Sequence, residues 1–449
     1  MAASTRPPGG TRDFLPEDVR RREHVIGIVR EVYERFGYEP LETPAFENVE
    51  TLLGRYGEEG NKLIFKILRR GSHEASGEAD LALRYDLTVP LARVVAQYQS
   101  ELPRFFKRYQ IQPVWRADRP ARGRFREFYQ CDIDAVGTTS LLVEAEQLEA
   151  VSEVLERLGF NDFVVRLNHR DLLAALLRAA GVPPSLEASA LVAIDKLDKI
   201  GRAGVQAELV ARGVTDTAAA SCLDGLGMDS PMGLEGRLQG DARGQYAIGQ
   251  LQSIHSLAGP FAGRRIRIDP SLARGLSYYT GAIMEITVAD LSGSLGGGGR
   301  YDHLIGTFLG RDVPACGFSL GLERIIVVMT ERSMFPDRLA GGAADVMVTI
   351  WSHETRVDSL ALASELRRGG LRVDVYPEAD KIGKQFKYAS SRHVPCVAVV
   401  GDDERARREI AIKDLRTGEQ KSVPRGEAIP FLKGLLQARG PEPHASSIP

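Results

Sequence analysis

Strand patterning in this chain stops and later resumes, and that interruption limits the folds open to it. From Leu63 to Asp134 short apolar-alternating runs separated by turns (KLIFKIL, LALRYDLT, RFFKRYQIQPVWR, REFYQCDIDAVG) read as paired strands of one antiparallel sheet. FVVRL at 163–167 adds another strand. Residues 170–258 then turn rich in Ala and Leu, with helix stops at Gly181, Gly201, Gly213 and Gly227. Strand chemistry returns in RRIRID, SYYTGAIMEITVAD and GSLGGGGRYD. A sheet fed from both sides of a helical stretch implies an α+β core, residues 1–169 and 259–333, carrying 170–258 as a helical insertion.

The flanking elements fit that plan. Residues 1–18 pass through Pro7, Pro8, Gly9, Gly10 and Pro16, an irregular lead-in. Val25, Ile28, Val29, Val32 and Phe36 recur at helical spacing over 18–36, before Gly37. YEPLETPAFEN carries Pro40 and Pro44 inside an alternating run, which demotes it to an edge strand able to meet a second subunit. An amphipathic helix is expected over 139–158, and VPACGFSLGLERIIVVMT reads as a buried strand entering an apolar helix. After a linker at 334–344, VMVTI, VDVY, CVAVVG and IAIKDL alternate with helical segments, so 345–436 is expected to be an α/β domain with a mainly parallel sheet. Residues 437–449 are expected to be a disordered tail.

Composition narrows the function classes. With 58 Lys+Arg against 60 Asp+Glu, a net charge of −2 argues against a protein that coats nucleic acid through bulk charge, though not against a local basic surface. Cys131, Cys222, Cys316 and Cys396 form no C-x-x-C pair, and no histidines form H-E-x-x-H, so neither a disulfide framework nor a dedicated metal site is expected. No run approaches the roughly 18 apolar residues of a membrane span, and MAASTRPPGG lacks an apolar signal region, so a cytoplasmic setting is expected.

Arg116 in PVWRADRP, Arg274 in SLARGLSYYTG and Arg324 in GFSLGLERI sit in or beside strands among small and aromatic residues. Convergent guanidinium groups can hold a polyphosphate and stabilise charge developing on it; singly, each is more often an ordinary ion-paired arginine. RADRPARGRFREFYQ combines arginines with Phe125 and Phe128, which suits phosphate contact and base stacking, or equally a solvated hairpin. GSLGGGGRYD lacks the Lys-Ser/Thr of a Walker loop; it is either a flexible connection or a strand that a ligand approaches closely. Asp86, Asp132 and Asp134 lie in apolar strand surroundings with Thr88 and Gln130, and a buried carboxylate needs a cation, from a ligand or from within the protein.

In combination these segments resemble the class II aminoacyl-tRNA synthetases, and within them the histidyl-tRNA synthetase family, over about residues 9–435. ETPAFEN is similar to motif 1, VWRADRPARGRFREFYQCDIDAVG to motif 2 and GFSLGLERI to motif 3. GGTRDFLPED resembles the N-terminal signature, and LARGLSYYTG with GGGGRYD the histidine-specific one. The resemblance implies ATP-dependent ligation of L-histidine to tRNA(His) through histidyl-adenylate, releasing AMP and pyrophosphate, in a homodimer, with Mg²⁺ accompanying ATP. It implies ATP binding by Arg116, Asp118, Arg124, Phe128, Arg274 and Arg324, with Arg116 and Arg274 catalytic on the α-phosphate. It assigns histidine binding to Asp86, Leu87, Thr88, Gln130, Asp134, Arg274, Tyr278, Tyr279 and Tyr301. The C-terminal domain resembles an anticodon-binding domain, with Lys381, Lys384 and Lys387 as candidate tRNA contacts or a solvated helix face.

The chain departs from the commoner bacterial pattern at Asp86, Asp118 and Asp134, each standing where glutamate is usual; these charge-conserving changes resemble the eukaryotic-type branch. Ser277 replaces a common aspartate. A regulatory paralogue of histidine biosynthesis shares this core but typically lacks the anticodon-binding domain and erodes ATP-binding residues, and this chain keeps both.

Overall fold

The structure is a computed structural model and describes residues 4–69, 71, 76–228, 230–273, 278–336, 339, 342 and 344–437. It divides into two compact units, Met1–Phe335 and Pro336–Pro449.

The strands of the first unit are β1 (Glu39–Pro40), β2 (Phe46–Asn48), β3 (Lys66–Leu68), β4 (Ala79–Leu83), β5 (Phe106–Trp115) and β6 (Glu127–Val136). They continue with β7 (Val164–His169), β8 (Ile266–Ile268), β9 (Ala282–Thr287), β10 (Ser294–Arg300) and β11 (Ala315–Gly321). Eight form one sheet in the order β1-β5-β6-β11-β10-β9-β7-β8. Its six central strands are antiparallel throughout, and short parallel strands, β1 on β5 and β8 on β7, close its two edges. β8 follows the helices after β7 in sequence, so the insertion returns to the strand it left.

The single sheet expected over 63–134 is two. β4 pairs with β2 on one side and β3 on the other in a separate three-stranded sheet, while the ten-residue strands β5 and β6 join the large one. Between them lies a helix, Thr88–Gln97, that the sequence reading missed. Pro90 looks like a turn residue, but a proline in a first helical turn removes no intrahelical bond. Asp86 Oδ1 accepts the Val89 amide at 3.0 Å and satisfies one of the helix's open donors. The ETPAFEN segment leads into β2 and is held from below by buried Arg84. Its Nη1 donates to the carbonyls of Thr43 (2.6 Å) and Pro44 (3.1 Å), and burial lowers its pKa to about 10.

Helices Pro16–Arg35, Leu142–Arg157 and Leu322–Glu331 pack together and against β6 or β11. Val25, Val29, Val32 and Tyr33 bury the first of these at the expected helical spacing. The region 170–258 is helical, from Arg170–Ala179 to Ala242–Leu257, and its apolar side chains are continuous with the core beneath the sheet.

The second unit contains β12 (Val346–Val348), β13 (Val373–Val375), β14 (Cys396–Val399), β15 (Glu409–Asp414) and β16 (Gln420–Pro424), ordered β13-β12-β14-β15-β16. Two pairings are parallel and two antiparallel, so the sheet is mixed rather than mainly parallel. β16 escaped the sequence reading because Val423 is its only buried residue, which leaves no alternation to read. The chain is helical to Gln437, and the rest of the expected disordered tail lies outside the described residues. No helix among the described residues is long and apolar enough to cross a membrane.

Candidate active site

Strand alternation builds the site. On β6, Cys131 and Ile133 enter the apolar core, while Gln130, Asp132 and Asp134 line a cavity of about 200 Å³ on the other side. Register extends this row sideways. Asp134 stands opposite Arg108 of β5 and Gly317 of β11, Asp132 opposite Gln110 and Ser319, and Gln130 opposite Gln112 and Gly321. A strand buried on both faces yet polar on one marks a ligand surface, because unpaired buried carboxylates are costly.

One end of the cavity is anionic and hydroxyl-rich. Asp86 Oδ1 accepts from Tyr56 Oη at 3.0 Å and its Oδ2 from Tyr278 Oη at 3.1 Å. Burial raises the Asp86 pKa, opposed by the Val89 amide and Arg116. Asp134 Oδ2 lies 2.8 Å from Arg108 Nη2, and its Oδ1 accepts from Tyr301 Oη. Burial likewise raises Asp134, against the pull of Arg108. Asp132 is pushed up to about 7 by burial, with Arg108 opposing and Asp134 adding to the rise. Gln130 Nε2 donates to Ser319 Oγ at 2.8 Å, while its Oε1 is buried with no partner among the described residues. An acceptor left open beside three carboxylates is complementary to an ammonium group.

The other end is cationic. Arg116 follows β5; its Nε donates to the Tyr85 carbonyl at 3.0 Å, and its guanidinium lies 4.3 Å from the Tyr85 ring centroid and 5.1 Å from that of Phe128. Arg324, in the first turn of Leu322–Glu331, is braced by the carbonyls of Ser294 (2.6 Å) and Gly123 (3.2 Å). Arg124 pairs with Asp118 at 2.9 Å. The chain's start closes this end. Gly10 O accepts the Arg126 amide at 2.8 Å, Arg126 Nη1 donates to Gly9 O at 3.2 Å, and Arg12 stacks 3.5 Å over the Phe125 ring. Neighbouring Glu323 is committed to structure, accepting from Arg22 and from the Tyr129 amide, both at 2.8 Å.

The glycine-rich segment is a buried strand, not a flexible connection. A Cβ on Gly298 would fall on the Gly317 carbonyl, and one on Gly317 would fall on Asp134 Oδ1, so glycine there lets backbone and carboxylate share the floor.

Of the residues singled out from sequence, the cavity wall brings together Asp86, Thr88, Arg116, Asp118, Arg124, Phe128, Gln130, Asp134, Tyr278, Tyr279, Tyr301 and Arg324. Leu87 is not on that wall; its side chain is buried and its carbonyl accepts from Arg108 Nη2 at 3.2 Å. Arg274 and Ser277 lie outside the described residues. Lys381, Lys384 and Lys387 are exposed in the second unit, and Lys384 pairs with Asp380 at 2.6 Å. Sequence reasoning missed Arg108, Tyr56 and Ser319. Arg108 was findable, since Arg108, Gln110 and Gln112 alternate on β5 as Gln130, Asp132 and Asp134 do on β6.

A six-stranded antiparallel core with paired arginines at one end of its cavity and buried carboxylates at the other defines the class II aminoacyl-tRNA synthetase type. Histidine–tRNA ligases from Gloeobacter violaceus (42% identical, 96% of this chain and 98% of the relative) and Christiangramia forsetii (39%, 94% and 98%) are similar nearly end to end. The crystal structure of histidyl-tRNA synthetase from Nostoc sp. PCC 7120 superposes with a TM-score of 0.81 at 31% identity, covering 96% of this chain and 99% of that one. The chain belongs to the histidyl-tRNA synthetase family, whose model matches residues 10–325, and an anticodon binding domain model matches 345–435. These relatives are bacterial and give no support to the eukaryotic-type branch suggested by Asp86, Asp118 and Asp134.

Proposed function

We propose that the protein ligates L-histidine to tRNA(His) through histidyl-adenylate. The observation that carries this reading is one cavity with a carboxylate-lined end and an arginine-lined end, which suit an ammonium group and a polyphosphate. In the first step a carboxylate oxygen of histidine attacks the α-phosphorus of ATP. The bond to the bridging oxygen of the β-phosphate breaks, and pyrophosphate leaves. In the second step the terminal ribose hydroxyl of the tRNA attacks the activated carbonyl and AMP departs. Neither step needs a protein nucleophile, so catalysis rests on positioning and charge stabilisation.

Arg116 is assigned to the α-phosphate, joined by Arg274, and Arg324 to the γ-phosphate; Asp118, Arg124 and Phe128 are assigned to the adenine and its phosphates. Asp86, Thr88 and Gln130 are assigned to the α-ammonium group, and Asp134, Tyr278, Tyr279 and Tyr301 to the imidazole and its surroundings. Mg²⁺, when bound with ATP, would supply charge neutralisation for the leaving pyrophosphate. Asp118 and Glu323, the carboxylates on the cationic part of the wall, are already committed to Arg124 and to Arg22 with the Tyr129 amide. ATP–pyrophosphate exchange dependent on histidine is the test; a folded protein without exchange would instead fit the regulatory paralogue.

In this reading residues 1–169 and 259–333 form the catalytic core, 170–258 an insertion, 334–344 a linker and 345–436 the anticodon-binding domain, acting in the cytoplasm; four free, buried cysteines suit a reducing compartment. The second unit from 343 to 436 carries 16 Lys+Arg against 14 Asp+Glu, a balance of only +2, so placed lysines must do what bulk charge does not. Lys384→Glu should lower histidyl-tRNA formation about tenfold by removing a phosphate contact, with pyrophosphate exchange unchanged; unaltered charging kinetics would remove Lys384 from the interface.

A homodimer is part of the proposal. Phe46 on β2 and Leu68 on β3, the two edges of the small sheet, are 51% and 55% exposed, more than apolar strand residues favour. Phe46→Asp is expected to move the molar mass in light scattering toward the monomer; an unchanged dimer would place the interface elsewhere.

A further inference from the structure

Arg108 is fully buried, a strand away from the cavity wall, and none of the roles above requires it. Its Nε and Nη1 are buried with no partner among the described residues. Its Nη2 reaches the Leu87 carbonyl at 3.2 Å and Asp134 Oδ2 at 2.8 Å, the latter an ion pair that is not aligned as a hydrogen bond. A guanidinium with two idle donors in the core is not the most stable occupant of that space, because each buried unsatisfied donor is costly and an apolar residue would avoid the cost. Its placement is nonetheless over-determined: it stands directly opposite Asp134 across the ladder, and Gly317 on Asp134's other side clears the room that the carboxylate occupies.

We propose that Arg108 is a positioning residue for histidine selection, holding Asp134 as an oriented carboxylate that accepts the N–H of the imidazole ring. Asp134 Oδ1 is fixed by the Tyr301 hydroxyl and Oδ2 is held by the charge of Arg108 without an aligned hydrogen bond, so the carboxylate keeps accepting capacity in a fixed orientation. A substrate side chain of the right shape but without an N–H there would leave those acceptors unpaired and be rejected strongly. The charged and titratable groups facing Asp134 are Arg108, Asp132, Asp86, Tyr301, Tyr33 and Cys316. Of these Arg108 is the cation that opposes the rise in Asp134's pKa caused by burial. With Arg108 removed, Asp134 gains its proton at higher pH. Its capacity to accept is present above that pKa and is lost as pH falls through it.

The inference rests on the assignment of Asp134 to the imidazole. The test is pyrophosphate exchange by Arg108→Gln and Arg108→Lys beside the parent enzyme from about pH 6.5 to 8.5, spanning the range where histidine and Asp132 titrate. The quantity read is the ratio of variant to parent KM for histidine at each pH, in which the titration of free histidine divides out; Asp132, which Arg108 also holds down, shifts in the same direction as Asp134 and adds to the acid-end loss. For Arg108→Gln that ratio is expected to be about 10- to 100-fold at the acid end and to shrink toward the alkaline end, with KM for ATP near the parent value. Arg108→Lys, which restores the charge, is expected to flatten the ratio. A ratio near unity throughout, or an equal rise in both KM values at every pH, overturns the proposal. Should Arg108→Gln not fold, Arg108→Lys decides: a histidine KM raised by the same factor at every pH with unchanged KM for ATP supports the proposal, since the charge is kept and the oriented fork lost, and a rise in both or in neither overturns it. Exchange by the parent enzyme separates this outcome from failure of the histidine-activating reading itself.

Discussion

Arg116→Ala is expected to lower kcat for histidine-dependent pyrophosphate exchange by about 100- to 1,000-fold, the loss that follows removal of one preorganised donor to developing charge. The side chain costs little to reorganise on the way to the transition state, because it is already held. Its Nε is bonded to the Tyr85 carbonyl and its plane is flanked by the rings of Tyr85 and Phe128. Arg116→Lys should recover only part of the rate, since a point charge neither forks onto two phosphate oxygens nor stacks as a guanidinium does. KM for histidine should change far less than kcat, because Asp86 and Gln130 remain to hold the amino acid. A variant retaining more than a tenth of the parent kcat would remove Arg116 from the reacting phosphate.

The second large effect concerns stability. Glu144 and Arg300 form a bidentate pair at 2.7 and 2.8 Å with side chains almost wholly buried. Burial alone would lower the Arg300 pKa, and Glu144, with Cys316 and Asp302, more than reverses that. Breaking such a pair leaves Arg300 with the more exposed Asp302, at 3.2 Å, as its remaining counter-ion. Glu144→Ala is therefore expected to destabilise the first unit by about 3–5 kcal/mol, read from the urea midpoint of the transition reporting on that unit. The double replacement Glu144→Leu with Arg300→Met should regain most of the loss, since it removes both desolvation costs together. A single variant that unfolds at the parent midpoint would show that water reaches the pair.

Much of the first unit was legible because its signals are local. Period-two alternation marked β5, β6 and β11, and helical spacing marked Pro16–Arg35 and Leu142–Arg157. The arginines could be picked out by their small and aromatic neighbours, and Asp86, Asp132 and Asp134 by charge in apolar surroundings. What stayed hidden depends on partners distant in sequence. Glu323 belongs to a recognisable motif, yet its commitment to Arg22 spans 301 positions. Tyr56 reaches Asp86 only because the helix beginning at Thr88 presents that carboxylate, and Pro90 disguised the helix. Division of the strands between two sheets was equally unreadable, since β3 and β4 show the same alternation as strands of the larger sheet.

The binding of Gly9, Gly10 and Arg12 to the loop around Phe125 and Arg126 gives the segment before the first helix a share in the proposed ATP site. Exoproteolytic trimming past Phe14 would leave every side chain assigned to ATP or histidine in the chain and still loosen the loop that presents Arg124 and Phe128. Loss of residues 9–14, checked by mass, should therefore lower the fraction of a preparation that binds nucleotide.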